Sequence, residues 1–168
     1  MSGRGTPALE ALRAAGVAHA VHEYQAPAPA GPRGRDRRPQ YGLDAAAALG
    51  LDPARVFKTL VAAVDGALVV AIVPVADELD LKALAGAMGA RRAALAASTD
   101  AERATGYVAG GISPLGTRRR LATVLDASAE ALATIHVSGG RRGLQLELSP
   151  ADLARLTWAT VAPIARRV

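Results

Sequence analysis

Asp65-Gly66, set between the apolar runs Phe57 to Val64 and Ala67 to Val75, constrains the fold of this chain more than any other feature. Asp-Gly supplies the positive φ angles that a two-residue hairpin turn demands, and so short a turn fixes which residues face one another across the strands. Alternation along the first strand then puts Lys58 and Leu60 on one face and Phe57 and Thr59 on the other. An ammonium buried without an anion is costly. A lysine inside so apolar a strand therefore either reaches water, as an edge-strand lysine does, or faces a negatively charged cavity.

The flanking sequence supplies helices and further strands. Thr6-Pro7 is an N-cap followed by the favoured first helical residue, and Gly16 can close that helix. His19 to Tyr24 reads as a strand, Ala45 to Leu49 as a short helix stopped by Gly50, and Asp52-Pro53 as the start of a turn. Asp80 can cap a helix to Met88 closed by Gly89, and Thr99-Asp100-Ala101-Glu102 has the spacing of a capping box for a helix ending at Gly106. Leu121 to Leu125, Ala133 to Val137 and Leu144 to Leu148 read as strands, the last alternating its leucines against Gln145 and Glu147. Ser149-Pro150 opens a final helix through Leu156. The expectation is a mixed α/β or α+β domain spanning residues 1–168, its strands either open or closed into a barrel.

Composition narrows the chemistry. With 168 residues and 51% apolar content, one core can be buried. A net charge of +5 and pI near 10.4 suggest a polyanionic partner. No cysteine occurs, which excludes disulfides, thiolate metal sites and a cysteine nucleophile and fits a reducing compartment. The longest apolar stretch, Ala67 to Ala76, carries Pro74 and falls far short of the roughly 20 residues that cross a bilayer, and the N-terminus opens no hydrophobic signal region. A soluble cytoplasmic protein without membrane contact is expected. Gln25 to Gln40, rich in Pro, Ala and Gly and carrying Arg33, Arg35, Arg37 and Arg38, reads as a mobile basic loop.

Two glycine-rich segments, Gly110 to Gly116 and Ser138 to Gly143, join bare backbone to arginine within a few residues. Glycine lets peptide N–H groups approach a ligand, and guanidiniums favour an anionic one, so a phosphate-bearing ligand is expected. Arg118, Arg119 and Arg120 follow the first segment and Arg141 and Arg142 lie inside the second, as candidate phosphate contacts or as a solvated face and a hairpin turn. Gly140-Arg141-Arg142-Gly143 matches the GXXG of KH domains, but that loop joins helices and the flanks here read as strands. His136 and Ser138 share a strand face, as a serine nucleophile and its base would, with no third residue evident to orient the histidine. His19 and His22 fall on opposite faces, and three histidines without cysteine point to no metal site.

Thr6-Pro7-Ala8, His22-Glu23-Tyr24, Tyr41-Gly42, Phe57-Lys58-Thr59-Leu60, Leu79-Asp80-Leu81-Lys82, Thr105-Gly106-Tyr107, the Gly110 to Gly116 loop, Val137-Ser138-Gly139-Gly140 and Arg142-Gly143-Leu144 run in that order along the chain. In this series the chain resembles the YbaK family of trans-acting aminoacyl-tRNA deacylases, relatives of the editing domain of bacterial prolyl-tRNA synthetases. The resemblance implies a barrel-like mixed sheet surrounded by helices and clearance of mischarged tRNA, most characteristically Cys-tRNA(Pro), with no cofactor and no metal, and with prolyl-tRNA synthetase as a partner. It places Lys58 near the ester and terminal phosphate, Tyr24, Tyr41 and Thr59 around the aminoacyl end, Gly110 and Gly111 as backbone donors, and Ser138, with Gly139 and Gly140, in the same cleft. It also implies that the substrate's own thiol attacks its ester, without a protein nucleophile. Gln145 stands where some members have aspartate, and His136 where tyrosine is common. The alternatives are a non-catalytic tRNA-binding or synthetase-associated module and a serine hydrolase built on Ser138 and His136.

Overall fold

The computed structural model describes residues 5–26 and 41–168. Its first half contains α1 (Pro7–Ala15), β1 (Ala20–Glu23), α2 (Tyr41–Leu49), β2 (Phe57–Val64), β3 (Ala67–Pro74), β4 (Asp77–Leu79) and α3 (Leu81–Ala87). There follow β5 (Ala93–Leu95), α4 (Ser98–Thr105), β6 (Ala122–Asp126), a 3-10 helix over Ala127–Ala131, β7 (Ile135–Ser138) and β8 (Leu144–Leu148). The series ends with α5 (Pro150–Thr157), β9 (Thr160–Ala162) and β10 (Ala165–Arg167). From residue 27 to residue 40 the expected basic loop lies outside the described residues.

The hairpin forms as its turn chemistry requires: Asp65 and Gly66 take φ of 47° and 85°, and β2 pairs with β3 from Phe57 opposite Pro74 to Val64 opposite Ala67. β3 is buried on both faces. Val70 and Ile72 face the main core with Leu12, Phe57, Leu125, Ile135, Val137, Leu146 and Leu153, while Val69, Ala71 and Val73 face a second cluster with Leu84, Val124 and Ile164. This two-sided burial is why the run is apolar without interruption.

The mixed α/β class is as expected, but the described strands do not close into a barrel. They form a five-stranded sheet ordered β5-β2-β3-β6-β9, a three-stranded sheet ordered β1-β8-β7 and a β10-β4 ribbon. The two larger sheets meet at a single parallel bridge between Val56 and His136, where His136 N–H donates to the Arg55 carbonyl at 3.0 Å. β5 takes Ala62 to Val64 of that edge of β2, and β7 meets it only at the bridge ahead of the strand.

Local signals hold with two exceptions. Thr6, Asp80 and Ser149 cap α1, α3 and α5 through their side chains, whereas α4 has Ala97 at its N-cap, two residues ahead of the expected Thr99, and no side-chain cap hydrogen bond. α2 starts at Tyr41, four residues ahead of the expected Ala45, which brings Tyr41 and Gly42 onto its first turn.

Candidate functional site

Strand register assembles the site. Ser138 on β7 is paired with Gln145 on β8, and Gln145 with His22 on β1, so the three side chains share one face of the sheet. The bridge at Val56 and His136 is parallel, and two residues further along each strand stand Lys58 and Ser138. Ser138, Gln145 and His22 therefore form a paired row across three strands, and Lys58 continues it on the same face from β2, beyond the single bridge between the sheets. The leucines of β8 occupy the opposite, core face. Gln145 does not reach solvent as its alternation with those leucines implies; it is buried, and its Oε1 has no hydrogen-bond partner among the described residues.

The start of α2 and both glycine loops close over the Lys58 end of the row. A Cβ placed on Gly42 would stand 2.2 Å from Val75 Cγ1 and 3.9 Å from Lys58 Cβ, so only a glycine lets the helix descend onto β2 there. Next to it, the Tyr41 ring lies under the Arg142 guanidinium at 4.9 Å, and a Cβ on Gly110 would meet both Tyr41 Cε1 and Arg142 Cδ at 3.1 Å. Gly111 packs on the backbone of Arg141, and Tyr24 N–H donates to the Gly143 carbonyl at 2.9 Å. Lys58, Tyr24, Tyr41, Gly110, Gly111, Arg141 and Arg142 thus belong to one linked set of contacts around this row.

The loops are braced from behind. Thr6 Oγ1 donates to the Gly139 carbonyl while accepting from Leu9 N–H, and Tyr107 donates its hydroxyl to the Leu115 carbonyl at 2.7 Å. Burial pushes the Tyr107 phenol up to about 12, keeping it a neutral donor. A Cβ on Gly140 would stand 2.8 Å from Tyr107 Cε1, so the same tyrosine supports both loops.

Burial holds the Lys58 ammonium below its ordinary pKa, with Glu78 and Asp77 opposing the shift through their charge. The ammonium is thus partly desolvated and available to a substrate anion. Ser138 Oγ accepts from Gly140 N–H at 3.2 Å and serves its own turn; no hydrogen bond joins it to His136 among the described residues. Thr59 is on the opposite strand face from Lys58, its hydroxyl buried without a hydrogen-bond partner among the described residues, so the structure does not bring it to the Lys58 face as the resemblance implied. Arg141 pairs with Glu23 at 3.2 Å. Arg118 and Arg119 are anchored at the end of α4 by Arg118 N–H to the Thr105 carbonyl and Arg119 N–H to the Ala104 carbonyl, and Arg120 lies over the Trp158 ring.

One grouping escaped the sequence reading. Glu147 accepts from His22 at 2.9 Å and from Thr134, with Arg55 at 3.7 Å and His136 Nε2 at 3.9 Å. Ligand atoms of His22, His136 and Glu147 lie within 4.8 Å of one another. Arg55 already supplies the positive charge that the carboxylate requires, and the two histidines come together through β8 rather than through any spacing in the sequence. Burial lowers the His136 pKa, and the hydrogen bonds from Thr134 and His22 lower that of Glu147, so a neutral imidazole stands beside a carboxylate.

A half-buried lysine with adjoining arginines can hold an anionic ligand, whereas the N–H groups of Gly111, Gly139 and Gly140, expected as ligand donors, are donated within their own loops to the Val108 carbonyl, the Leu144 carbonyl and Ser138 Oγ. The sequence profile of the aminoacyl-tRNA editing domain matches residues 42–156, and the chain belongs to that family. It is 41% identical over 120 residues, 71% of this chain and 73% of the relative, to EbsC of Enterococcus faecalis, named as a Cys-tRNA(Pro)/Cys-tRNA(Cys) deacylase. Two crystal structures share the fold. The hypothetical protein APE2540 has a TM-score of 0.81 at 23% identity, covering 96% of this chain and 100% of its own. A protein described as a trans-editing enzyme for prolyl tRNA synthetase has a TM-score of 0.78 at 24% identity, covering 98% and 99%.

Proposed function

We propose that this protein is a trans-editing deacylase that clears Cys-tRNA(Pro), and that the substrate's thiol performs the cleavage. The observation that carries the reading is the row of Lys58, Ser138, Gln145 and His22 running beneath two glycine loops and Tyr41, in a chain 41% identical to a relative named for that reaction.

In the reaction the cysteine sulfur attacks the ester carbonyl carbon, and a sulfur–carbon bond forms. The carbon–oxygen bond to the terminal ribose breaks, and the ribose oxygen takes the thiol proton. The products are uncharged tRNA and a cyclic thioester that water then opens. The protein supplies position and charge: holding the thiol against its own ester is worth roughly 7 to 11 kcal/mol. Lys58 or the peptide N–H of Gly110 directed at the developing oxyanion adds about 3 to 4 kcal/mol; the Gly111 N–H donates to the Val108 carbonyl at 2.9 Å, so Gly111 shapes the loop instead. Tyr24 and Tyr41 bound the aminoacyl end, with Gly139 and Gly140 shaping the turn beside Ser138; Thr59, on the other face of its strand, is not part of that lining. The terminal phosphates meet Arg141 and Arg142. Prolyl-tRNA synthetase, the enzyme that makes this error, is the partner that would hand over the tRNA.

Single-turnover deacylation of tRNA(Pro) carrying cysteine, serine, alanine or proline tests the reading. Rapid release of cysteine with slow release of serine is expected, since a hydroxyl is a far poorer nucleophile than a thiol. Equal release of serine contradicts self-attack, and release of none contradicts the deacylase assignment.

A further inference from the structure

Trp158 is the only tryptophan of the chain and is 75% exposed. It ends α5 with φ of 55°, one of two non-glycine residues with positive φ among those described. A bulky residue in the left-handed region carries a backbone cost that glycine at the same cap avoids, and so little burial returns almost none of it. Neither core packing nor capping accounts for the side chain.

Its surroundings do. The Arg120 guanidinium lies 4.2 Å from the centre of the indole ring, holding a flat cation against a flat aromatic surface. Arg120 also lines a groove of about 330 Å³ with Arg118, Thr117, Pro114 and Gly116, and no carboxylate of the described residues contributes to that groove. Arg118, Arg119 and Arg120 form no ion pair with any described carboxylate. Pro114 and Gly116 belong to the same loop as Gly110 and Gly111, so its far end lies within the roughly 20 Å that six residues can span.

From this we infer that Trp158 and Arg120 form a stacking platform for an unpaired base near the acceptor end of the tRNA, with Arg118 and Arg119 holding the adjoining phosphates. Exposed aromatic faces combined with arginines are the means by which proteins hold single-stranded nucleic acid without reading its sequence. The inference rests on the proposed tRNA substrate and extends it to a surface outside the cleft.

Because no other tryptophan is present, indole emission reports on this surface alone. Titrating the full chain with uncharged tRNA(Pro) is expected to quench the emission, with affinity falling as salt rises. Trp158→Gly is expected to weaken tRNA binding about tenfold, the loss of one base stack, without lowering the unfolding temperature. Trp158→Phe, which keeps a stacking face, is expected to stay within about threefold of the wild type. Absence of quenching together with unchanged affinity of Trp158→Gly, in a protein that still deacylates Cys-tRNA(Pro), overturns the platform and leaves the enzyme reading intact. Quenching without deacylation overturns the enzyme reading and leaves the platform standing.

Discussion

Gly111 lies flat against the backbone of Arg141: a Cβ on the glycine would stand 2.8 Å from Arg141 Cα and 3.1 Å from its carbonyl carbon. Through this contact the two glycine loops, thirty residues apart in sequence, become one surface. Backbone cannot yield as a flexible side chain does, so any residue larger than glycine forces the loops apart.

Gly111→Ala is therefore expected to reduce deacylation by at least tenfold while lowering stability by about 1 to 3 kcal/mol, the range for overpacking a well-filled site. Deacylation kinetics and urea unfolding on the same preparation check it. Wild-type activity in this variant would show that the contact between the loops has no functional part.

Thr6 holds the second loop to α1 by accepting from Leu9 N–H and donating to the Gly139 carbonyl. Thr6→Ala removes a helix cap, worth about 1 kcal/mol, and strands a buried carbonyl at a further cost of about 1 to 3 kcal/mol. A lower urea midpoint and weaker deacylation are expected, both restored by Thr6→Ser, which keeps the hydroxyl.

His136 gives the fold a pH dependence. Burial holds its pKa below the ordinary 6.5, with Glu147 opposing and the charges of His22 and Arg55 adding to the depression. Between the folded value and 6.5 the unfolded chain binds a proton that the folded chain refuses. The contribution of His136 to stability is whole above 6.5 and declines as pH falls through that window. Glu147, whose folded pKa lies below its ordinary 4.5, adds a second loss in more acid solution. Replacing His136 with glutamine is expected to flatten the slope of unfolding free energy against pH in the upper window and, by removing a charge that helps hold the Glu147 pKa down, to lessen the loss in the lower one. An unaltered slope there would assign it to other groups.

Much of the frame was legible because its signals are local. The Asp65-Gly66 turn, the Thr6, Asp80 and Ser149 caps and the left-handed Gly16 and Gly106 each depend on residues within one turn of themselves. Short strands such as β4, β5, β9 and β10, three residues each, carry too little alternation to announce themselves and are fixed by the strands they join. The site divides in the same way. Lys58 and the glycine loops stood out by composition, whereas the membership of His22 and Gln145 in the Lys58 row, and the His22, His136 and Glu147 grouping, required the register of β1 on β8 and of β8 on β7. Barrel closure failed for a related reason: the division of the β2 edge between β5 and β7 depends on a partner more than thirty residues away.

The claim on which the account turns is that the half-buried Lys58 ammonium acts on the ester. Single-turnover deacylation of Cys-tRNA(Pro) by Lys58→Ala at saturating enzyme tests it most directly. A rate lowered by about a hundred- to a thousandfold, the equivalent of losing one donor at the developing oxyanion, is predicted. A rate equal to that of the unaltered protein would contradict it.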